Sequence, residues 1–170
     1  RAARRTRGFR EEQGAEKAVS DLHLVVLAAG KGTRMKSLQP KVLHPAGGLP
    51  LIEHVLRTAD RVSPASVVIV LGHVAEAVRA SLAHRPSLAF AVQEPQLGTG
   101  HALLQAEAAL KGAQGTVVLL SGDVPLLTAE TLQRLIDCHR TTAAAATVLT
   151  AVVDDPHGYG RVERIAGRIA

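Results

Sequence analysis

Apolar and polar positions along the chain follow two alternating patterns. In short runs nearly every residue is apolar until a glycine or a polar residue ends the run, as in parallel strands buried on both faces. Between these runs, apolar residues recur three or four positions apart, which is typical of helices with one buried face. The apolar runs predict six strands, at Leu22–Ala28, 67–71, 88–92, 116–120, 144–153 and 161–165.

The helical patterns occupy the segments between these runs. The first helix is predicted to begin at Pro50 and to pair Glu53 with Arg57 on the face opposite its apolar residues. Thr128 is the predicted N-cap of the last helix. The predicted buried positions are Ile52, Val55, Leu56 and Ala59, then Val74, Val78 and Leu82, then Leu103, Ala106 and Leu110, and finally Leu132, Leu135 and Ile136. This alternation predicts an α/β fold with a mostly parallel sheet flanked by helices, which binds ligands at the carboxyl ends of its strands.

Composition narrows the functions that such a fold could carry. The chain has 170 residues, of which 46% are hydrophobic, so one domain can bury a core. Only 2% of the residues are aromatic, which disfavours the base-stacking surfaces of proteins that bind single-stranded nucleic acid. The longest apolar run, 24–29, is far too short to span a membrane. The single cysteine, Cys138, cannot form an internal disulfide, which indicates a cytoplasmic location.

Most of the net charge of +5 lies in the first 20 residues. That segment carries six basic and three acidic side chains with little apolar periodicity, which predicts a solvated, disordered tail before a domain over residues 21–170. Nucleic-acid binding by this tail is therefore a weak alternative. The chain does not begin with methionine, and we expect it to be a fragment or a processed product.

Glycines and basic residues follow the first predicted strand. Gly30 and Gly32 would let backbone N–H groups approach a phosphate, with Lys31 and Arg34 beside them. The spacing fits neither the dinucleotide-binding motif GxGxxG nor the Walker A motif. An ordinary tight turn and an anion-binding loop of another type are both compatible with the pattern, and the two basic residues favour the anion-binding loop.

Three later residues, at strand ends or in nearby loops, have polar side chains that could bind a ligand. Pro40 stiffens the backbone at Lys41, which could meet a phosphate as a fixed charge or extend into solvent. Gln93 follows the third strand and could pair with the edge of a base or belong to an ordinary polar loop. Asp123 ends the fourth strand, where it could ligate Mg²⁺ beside substrate phosphates or accept hydrogen bonds from loop amides.

Five motifs together resemble the sugar-nucleotide pyrophosphorylases. They are LAAGKGTRM at 27–35, PKVL at 40–43, Gln93 with LGTGHA at 97–102, GDVPL at 122–126 and GYGR at 158–161. The first two mark the wider superfamily. LGTGHA and GYGR are similar to the uridyltransferase domain of bacterial N-acetylglucosamine-1-phosphate uridyltransferases, and the resemblance runs from about Leu22 to the end of the chain.

The resemblance implies a Rossmann-like nucleotide-diphospho-sugar transferase fold, truncated at the C-terminus. It also implies Mg²⁺-dependent uridylyl transfer from UTP to N-acetylglucosamine 1-phosphate, for cell-wall precursor synthesis. Arg34 and Lys41 would be the catalytic residues on the UTP phosphates, Asp123 would bind Mg²⁺, and Gly160 would contact the N-acetyl group of the sugar. The implied nucleotide contacts are Leu27, Ala28, Ala29, Gly30, Gln93, Gly98 and Thr99. Ser121 stands where some family members have tyrosine, which leaves any contact through that ring in doubt.

Two other functions stay open at this point. Another sugar-1-phosphate nucleotidyltransferase would share the first loop and the aspartate, and a non-catalytic nucleotide-binding module would bind nucleotide without releasing pyrophosphate. The resemblance also implies that further sugar, ribose and metal contacts lie beyond residue 170. An acetyltransferase domain or a homo-oligomer interface would lie there as well.

Overall fold

The computed structural model describes residues 21–30, 35, 37, 39–72, 75–155, 157–165 and 168–169. Its strands are β1 (Leu22–Ala28), β2 (Pro45–Ala46), β3 (Leu49–Pro50), β4 (Ser66–Leu71), β5 (Ala89–Val92), β6 (Thr116–Ser121), β7 (Arg164–Ile165) and β8 (Arg168–Ile169). Its α-helices are α1 (Leu51–Asp60), α2 (Ala75–Ser81), α3 (Thr99–Gln105) and α4 (Ala129–Thr142), and 3₁₀ helices span Lys41–Leu43 and Ala108–Leu110. The predicted tail, Lys31, Gly32, Arg34 and Val74 lie outside the described residues.

Four parallel strands form the main sheet, in the order β5–β4–β1–β6. Val25 in β1 lies beside Val68 of β4 on one side and beside Leu119 of β6 on the other. The chain adds β4 and β5 on one side of β1 and then crosses back to add β6 on the other. This reversal makes the carboxyl end of β1 a topological switch point, where open α/β sheets form a crevice for ligands.

Helices cover both faces of this sheet. On one face, α1, α2 and α4 pack over a core that includes Leu24, Leu56 and Ile69. On the other face, Ala102 of α3 and Ala106 just after it pack against β1 and β4. Burial on both faces explains the near-continuous apolar runs of β1 and β4, whereas Val117 and Leu119 of β6 are exposed on the second face. The predicted fold class, a Rossmann-like α/β fold with a parallel sheet between helices, is confirmed.

The helix ends follow most of the predicted signals. Helix α1 begins directly after Pro50, and the hydroxyl of Thr128 accepts a hydrogen bond of 3.2 Å from the backbone N–H of Thr131, as an N-cap does. The third predicted helix is divided into α3 and the 3₁₀ turn Ala108–Leu110. In the described part of the chain, none of the helices combines the length and apolar character needed to cross a membrane.

Two of the six predicted strands are wrong in whole or in part. The segment 144–153 forms no strand and leaves Val148 and Val152 exposed. Within 161–165, only Arg164–Ile165 is a strand, and it pairs antiparallel with β8 apart from the main sheet. A strand needs a hydrogen-bonded neighbour as well as apolar side chains. Among the described residues, neither 144–153 nor the outer edge of β6 has such a neighbour.

The predicted pair of Glu53 and Arg57 on α1 is present, but its placement opposite the buried face is wrong for Glu53, which is buried. Its carboxylate accepts hydrogen bonds of 2.8 and 3.1 Å from Arg85, in the loop after α2, and a longer one of 3.4 Å from Arg57. Arg85 also donates to Asp60 at 2.9 Å. Burial by itself raises the pKa of Glu53, but the hydrogen bonds and charge of Arg85, together with the contributions of Arg57 and His84, outweigh burial, and the pKa lies below its ordinary value.

Candidate functional site

A cavity of about 360 Å³ opens at the carboxyl ends of β1, β5 and β6, a volume within the range of small-molecule sites. The predicted site residues in its lining are Leu27, Ala29, Gly30, Lys41, Gln93, Gly98, Thr99 and Asp123. Val42, Gln96, Ala102 and Ser121 complete the lining. The polar strand ends therefore meet around one space, as the parallel topology requires.

Glycine 122 allows β6 to pass close to the end of β1. The backbone N–H of Gly122 donates to the carbonyl of Leu27 at 2.8 Å. A Cβ at this position would lie 2.9 Å from that oxygen and 3.3 Å from Val42 Cγ1, so a larger residue would push the strands apart. Asp123 follows directly and reaches the cavity. The side chain of Ala28 packs in the core instead, so a ligand could contact this residue through its backbone.

Lys41 and Asp123 form an ion pair inside the cavity. Lys41 begins the 3₁₀ turn after Pro40, and the buried side chain of Val42 anchors this turn to the core. Lys41 Nζ lies 2.6 Å from Asp123 Oδ2, and the two side chains are 42% and 29% exposed. The structure thus brings together two of the three groups that the sequence predicts around the phosphates. Arg34, the third, lies outside the described residues.

Gln93 is buried at the end of β5, and internal hydrogen bonds fix its amide. Its Nε2 donates to the carbonyl of Gly98 at 2.9 Å and lies 3.2 Å from His101 Nδ1. Gly98 has a φ of +100°, a conformation that side chains rarely adopt, and Thr99 then begins α3. Because the carbonyl of Gly98 can only accept, it fixes which end of the amide is Nε2, and Gln93 can present its carbonyl oxygen to a ligand.

Two polar residues of the cavity were missed as site candidates. Gln96 Nε2 donates to the carbonyl of Ala29 at 2.5 Å, which joins segments 67 residues apart. Ser121 ends β6 and lines the cavity. A signal for Gln96 existed, since it lies within the polar loop between Gln93 and Gly98. Its partner could not be found without the tertiary fold.

Gly160 lies away from this cavity. It belongs to an exposed turn in which the neighbouring Tyr159 is 70% exposed, and it is absent from the cavity lining. The contact with a sugar N-acetyl group therefore stays a prediction.

The cavity suits a divalent cation held jointly by protein and substrate. Asp123 provides one carboxylate. Within the described ranges, no three His, Cys, Asp or Glu side chains gather as a metal-binding group. Mg²⁺ is commonly bound by one or two carboxylates together with substrate phosphates and water, rather than by a complete set of protein ligands. One carboxylate opening onto a cavity of this volume fits that mode.

Comparison with known families and proteins agrees with this geometry. Residues 24–164 match the family model described as the MobA-like NTP transferase domain. A protein of Syntrophotalea carbinolica named bifunctional protein GlmU is 56% identical over 144 residues, which is 85% of this chain and 31% of that protein. A protein of the same name from Enterococcus faecalis is 50% identical over 142 residues, or 84% and 31% of the two chains. The chain spans about a third of the length of these curated relatives.

Solved structures share the fold. The Mycobacterium tuberculosis protein Rv0371c in complex with manganese is 30% identical, with a TM-score of 0.59 over 71% of this chain and 60% of the other. A nucleotidyl transferase from Methanothermobacter thermautotroptrophicus is 25% identical, with a TM-score of 0.57 over 68% and 56% of the two chains.

Proposed function

Because the chain belongs to the MobA-like NTP transferase domain family, we propose that it forms the nucleotide-binding part of a uridylyltransferase. The proposed reaction joins UTP and N-acetylglucosamine 1-phosphate to give UDP-N-acetylglucosamine and pyrophosphate. The observation that carries the proposal is the Lys41–Asp123 pair, 2.6 Å apart, in a cavity lined by Gly30 and Gly98. A cation, a carboxylate and open backbone are the groups that a metal–triphosphate needs.

Gln93 supports uracil over cytosine as the base. Its Nε2 donates to the carbonyl of Gly98, which fixes the amide and leaves the carbonyl oxygen as its acceptor for a ligand. Uracil presents an imino N–H to such an acceptor, whereas cytosine presents a lone pair at the same ring position. An unpaired polar contact in a buried site costs binding free energy, so CTP should bind less well than UTP.

The proposed chemistry needs charge and alignment from the protein. An oxygen of the sugar phosphate attacks the α-phosphorus of UTP, the bond from that phosphorus to the bridging oxygen breaks, and its electrons leave with pyrophosphate. The attacking oxygen is already anionic, so no general base is required. Lys41 is positioned to hold phosphate oxygens by a charge-assisted hydrogen bond. Neutralisation of the remaining phosphate charge is what Mg²⁺ would supply when bound at Asp123.

The acceptor sugar and the cellular role are proposed from the resemblance of the sequence to bacterial N-acetylglucosamine-1-phosphate uridyltransferases. The GYGR motif and the relatives named GlmU support an N-acetylglucosamine phosphate as acceptor and a place in cell-wall precursor synthesis. The exposed free thiol of Cys138 is compatible with the reducing cytoplasm predicted from the sequence.

A pyrophosphate-release assay on the full-length protein tests this proposal. UTP, dTTP, CTP and GTP are each paired with N-acetylglucosamine 1-phosphate and glucose 1-phosphate, with and without Mg²⁺. We expect the highest kcat/KM with UTP and the N-acetylated sugar. Asp123→Asn should lower kcat by at least about 100-fold, the scale on which an electrostatic contact in a transition state acts.

Asp137→Asn is the matched control. Asp137 is an exposed carboxylate on α4 that accepts a hydrogen bond from Gln133 at 2.8 Å, outside the cavity. Its amide variant should retain wild-type turnover. Near-normal Mg²⁺-dependent pyrophosphate release by Asp123→Asn would refute the assigned role of this residue, and nucleotide binding without any release would favour a non-catalytic module.

A further inference from the structure

The side chain of Gln96 connects two segments of the cavity lining. Ala29 follows β1 and precedes Gly30, and its carbonyl accepts the 2.5 Å hydrogen bond from Gln96 Nε2. Gln96 itself lies midway between Gln93 and Gly98. One side-chain hydrogen bond therefore ties the segment beside the predicted base contacts to the segment beside the predicted phosphate contacts.

Gly72 leaves the space that this side chain occupies. It follows β4, whose last residue, Leu71, lies beside Ala28. A Cβ at position 72 would overlap Gln96 Nε2 and lie 2.5 Å from the carbonyl oxygen of Ala29. The backbone is thus shaped around the Gln96 amide, and the hydrogen bond is a packed feature of the cavity wall.

The loop from Gln93 to Gly98 is otherwise held near its ends. The backbone N–H of Gln93 donates to the carbonyl of Leu71 at 2.8 Å, and the Gln93 side chain donates to Gly98. Among the hydrogen bonds of the described residues, that of Gln96 ties the middle of this loop to β1. If it is removed, Gly98 can shift, and the Gln93 amide is no longer confined to one orientation.

We propose that Gln96 is a positioning residue that sets nucleotide affinity and base selectivity by holding the loop between Gln93 and Gly98 against Ala29. This inference rests on the proposed function, since it concerns the same cavity. Gln96 acts through Gln93: while the loop is fixed, Gln93 offers an acceptor and favours uracil. Once the loop is loose, the amide can rotate and offer a donor, which cytosine accepts.

Two substitutions of similar size separate this role from packing. Gln96→Met removes the donor, and Gln96→Glu replaces it with a carboxylate that repels the Ala29 carbonyl. Both variants should raise KM for UTP about fivefold, the scale of one lost hydrogen bond, with kcat changed less than twofold. The ratio of kcat/KM for UTP to that for CTP should fall by a similar factor. Titration calorimetry with UTP and CTP measures the same preference without turnover.

Gln133→Met is the matched control, because Gln133 donates a side-chain hydrogen bond on α4 outside the cavity. It should keep wild-type KM and base preference. Thermal unfolding of all variants verifies folding, which we expect to persist because Gln96 is partly exposed. Gly72→Ala should disturb the same hydrogen bond, because the added Cβ would overlap Gln96 Nε2. This variant should therefore also lower the preference for UTP over CTP.

The outcomes distinguish the two proposals. A wild-type preference for UTP that both Gln96 variants retain would overturn the positioning role alone. Equal losses with UTP and CTP would also overturn it, since they indicate a structural role without effect on base choice. A wild-type protein that binds no nucleotide would overturn the proposed function and this inference with it.

Discussion

Lys41 and Asp123 are paired with each other in the cavity. Their charged atoms lie 2.6 Å apart, and both side chains remain partly open to the cavity. In the proposed function, a triphosphate would offer Lys41 a new partner, and the Asp123 carboxylate would then be available to a divalent cation. Nucleotide and metal should therefore strengthen each other's binding.

Lys41→Met tests this exchange directly. The variant frees Asp123, so Mn²⁺ should bind on the order of threefold more tightly than to wild type in the absence of nucleotide, a factor that suits a partly exposed ion pair. Calorimetry with Mn²⁺ alone measures the effect. Lys111→Met removes one exposed positive charge elsewhere and should leave Mn²⁺ affinity unchanged. Tighter binding by both variants would mean that net charge, not the pair, is responsible.

The sequence predicts much of the cavity at the level of single residues, but not its cross-contacts. Asp123 stood out because a carboxylate directly after an apolar strand has few structural uses. Gln96 did not, because its partner Ala29 is 67 residues away. The same limit applies to position 72. Glycine is needed there because the side chain of Gln96 lies against it, a contact that only the fold creates.

At the scale of elements, a buried ion pair joins α1 to the loop after α2. Glu53 and Arg85 have side chains that are 9% and 17% exposed. Helix α1 also packs on the 3₁₀ turn that begins at Lys41, so this pair stabilises the element behind the site.

Arg85→Met leaves the Glu53 carboxylate buried without its main partner. We expect it to lose about 3 kcal/mol of unfolding free energy at pH 7, because breaking one side of a buried pair strands the other charge. Arg57→Met, at an exposed position, should cost less than about 0.5 kcal/mol. Urea unfolding measures both.

The unfolding free energy lost in Arg85→Met should become smaller as pH falls. Since the pKa of Glu53 is lowered in the folded protein, the pair stabilises it fully above the ordinary value of 4.5 and loses effect as pH falls through the folded value. The difference between wild type and Arg85→Met should therefore shrink below pH 4.5. A difference that is constant with pH would exclude Glu53 as the partner that matters.

Strands and helices in the core were predictable because burial on both faces leaves an apolar pattern. Leu22–Ala28 was predicted with the bounds that the structure gives. The segment 144–153 carries a similar apolar pattern and was predicted wrongly, because pairing depends on a neighbour that its own residues do not encode. The i,i+4 spacing correctly predicted that Glu53 pairs with Arg57, but it could not show that Glu53 is buried or that Arg85, 32 residues away, is its closer partner.

The whole molecule should show a steep gradient of local stability. Strands β1 and β4 lie inside the sheet with several side chains at 0% exposure, while 145–153 forms neither strand nor helix. Hydrogen exchange followed by mass spectrometry should find the slowest amides in β1 and β4, and exchange in 145–153 close to that of an unstructured peptide. Strong protection of 145–153 would show that it pairs in solution.

The central place of β1 also affects how the chain emerges from the ribosome. Val25 is made before its partner Leu119, which follows more than ninety residues later. At ~10 residues per second, the nascent strand waits about ten seconds for its second neighbour. During that interval a long apolar edge is open to other chains, the condition under which strands mispair. Translation pauses before residue 116 would lengthen this exposure. The rate of synthesis therefore affects how often a chain with this topology mispairs.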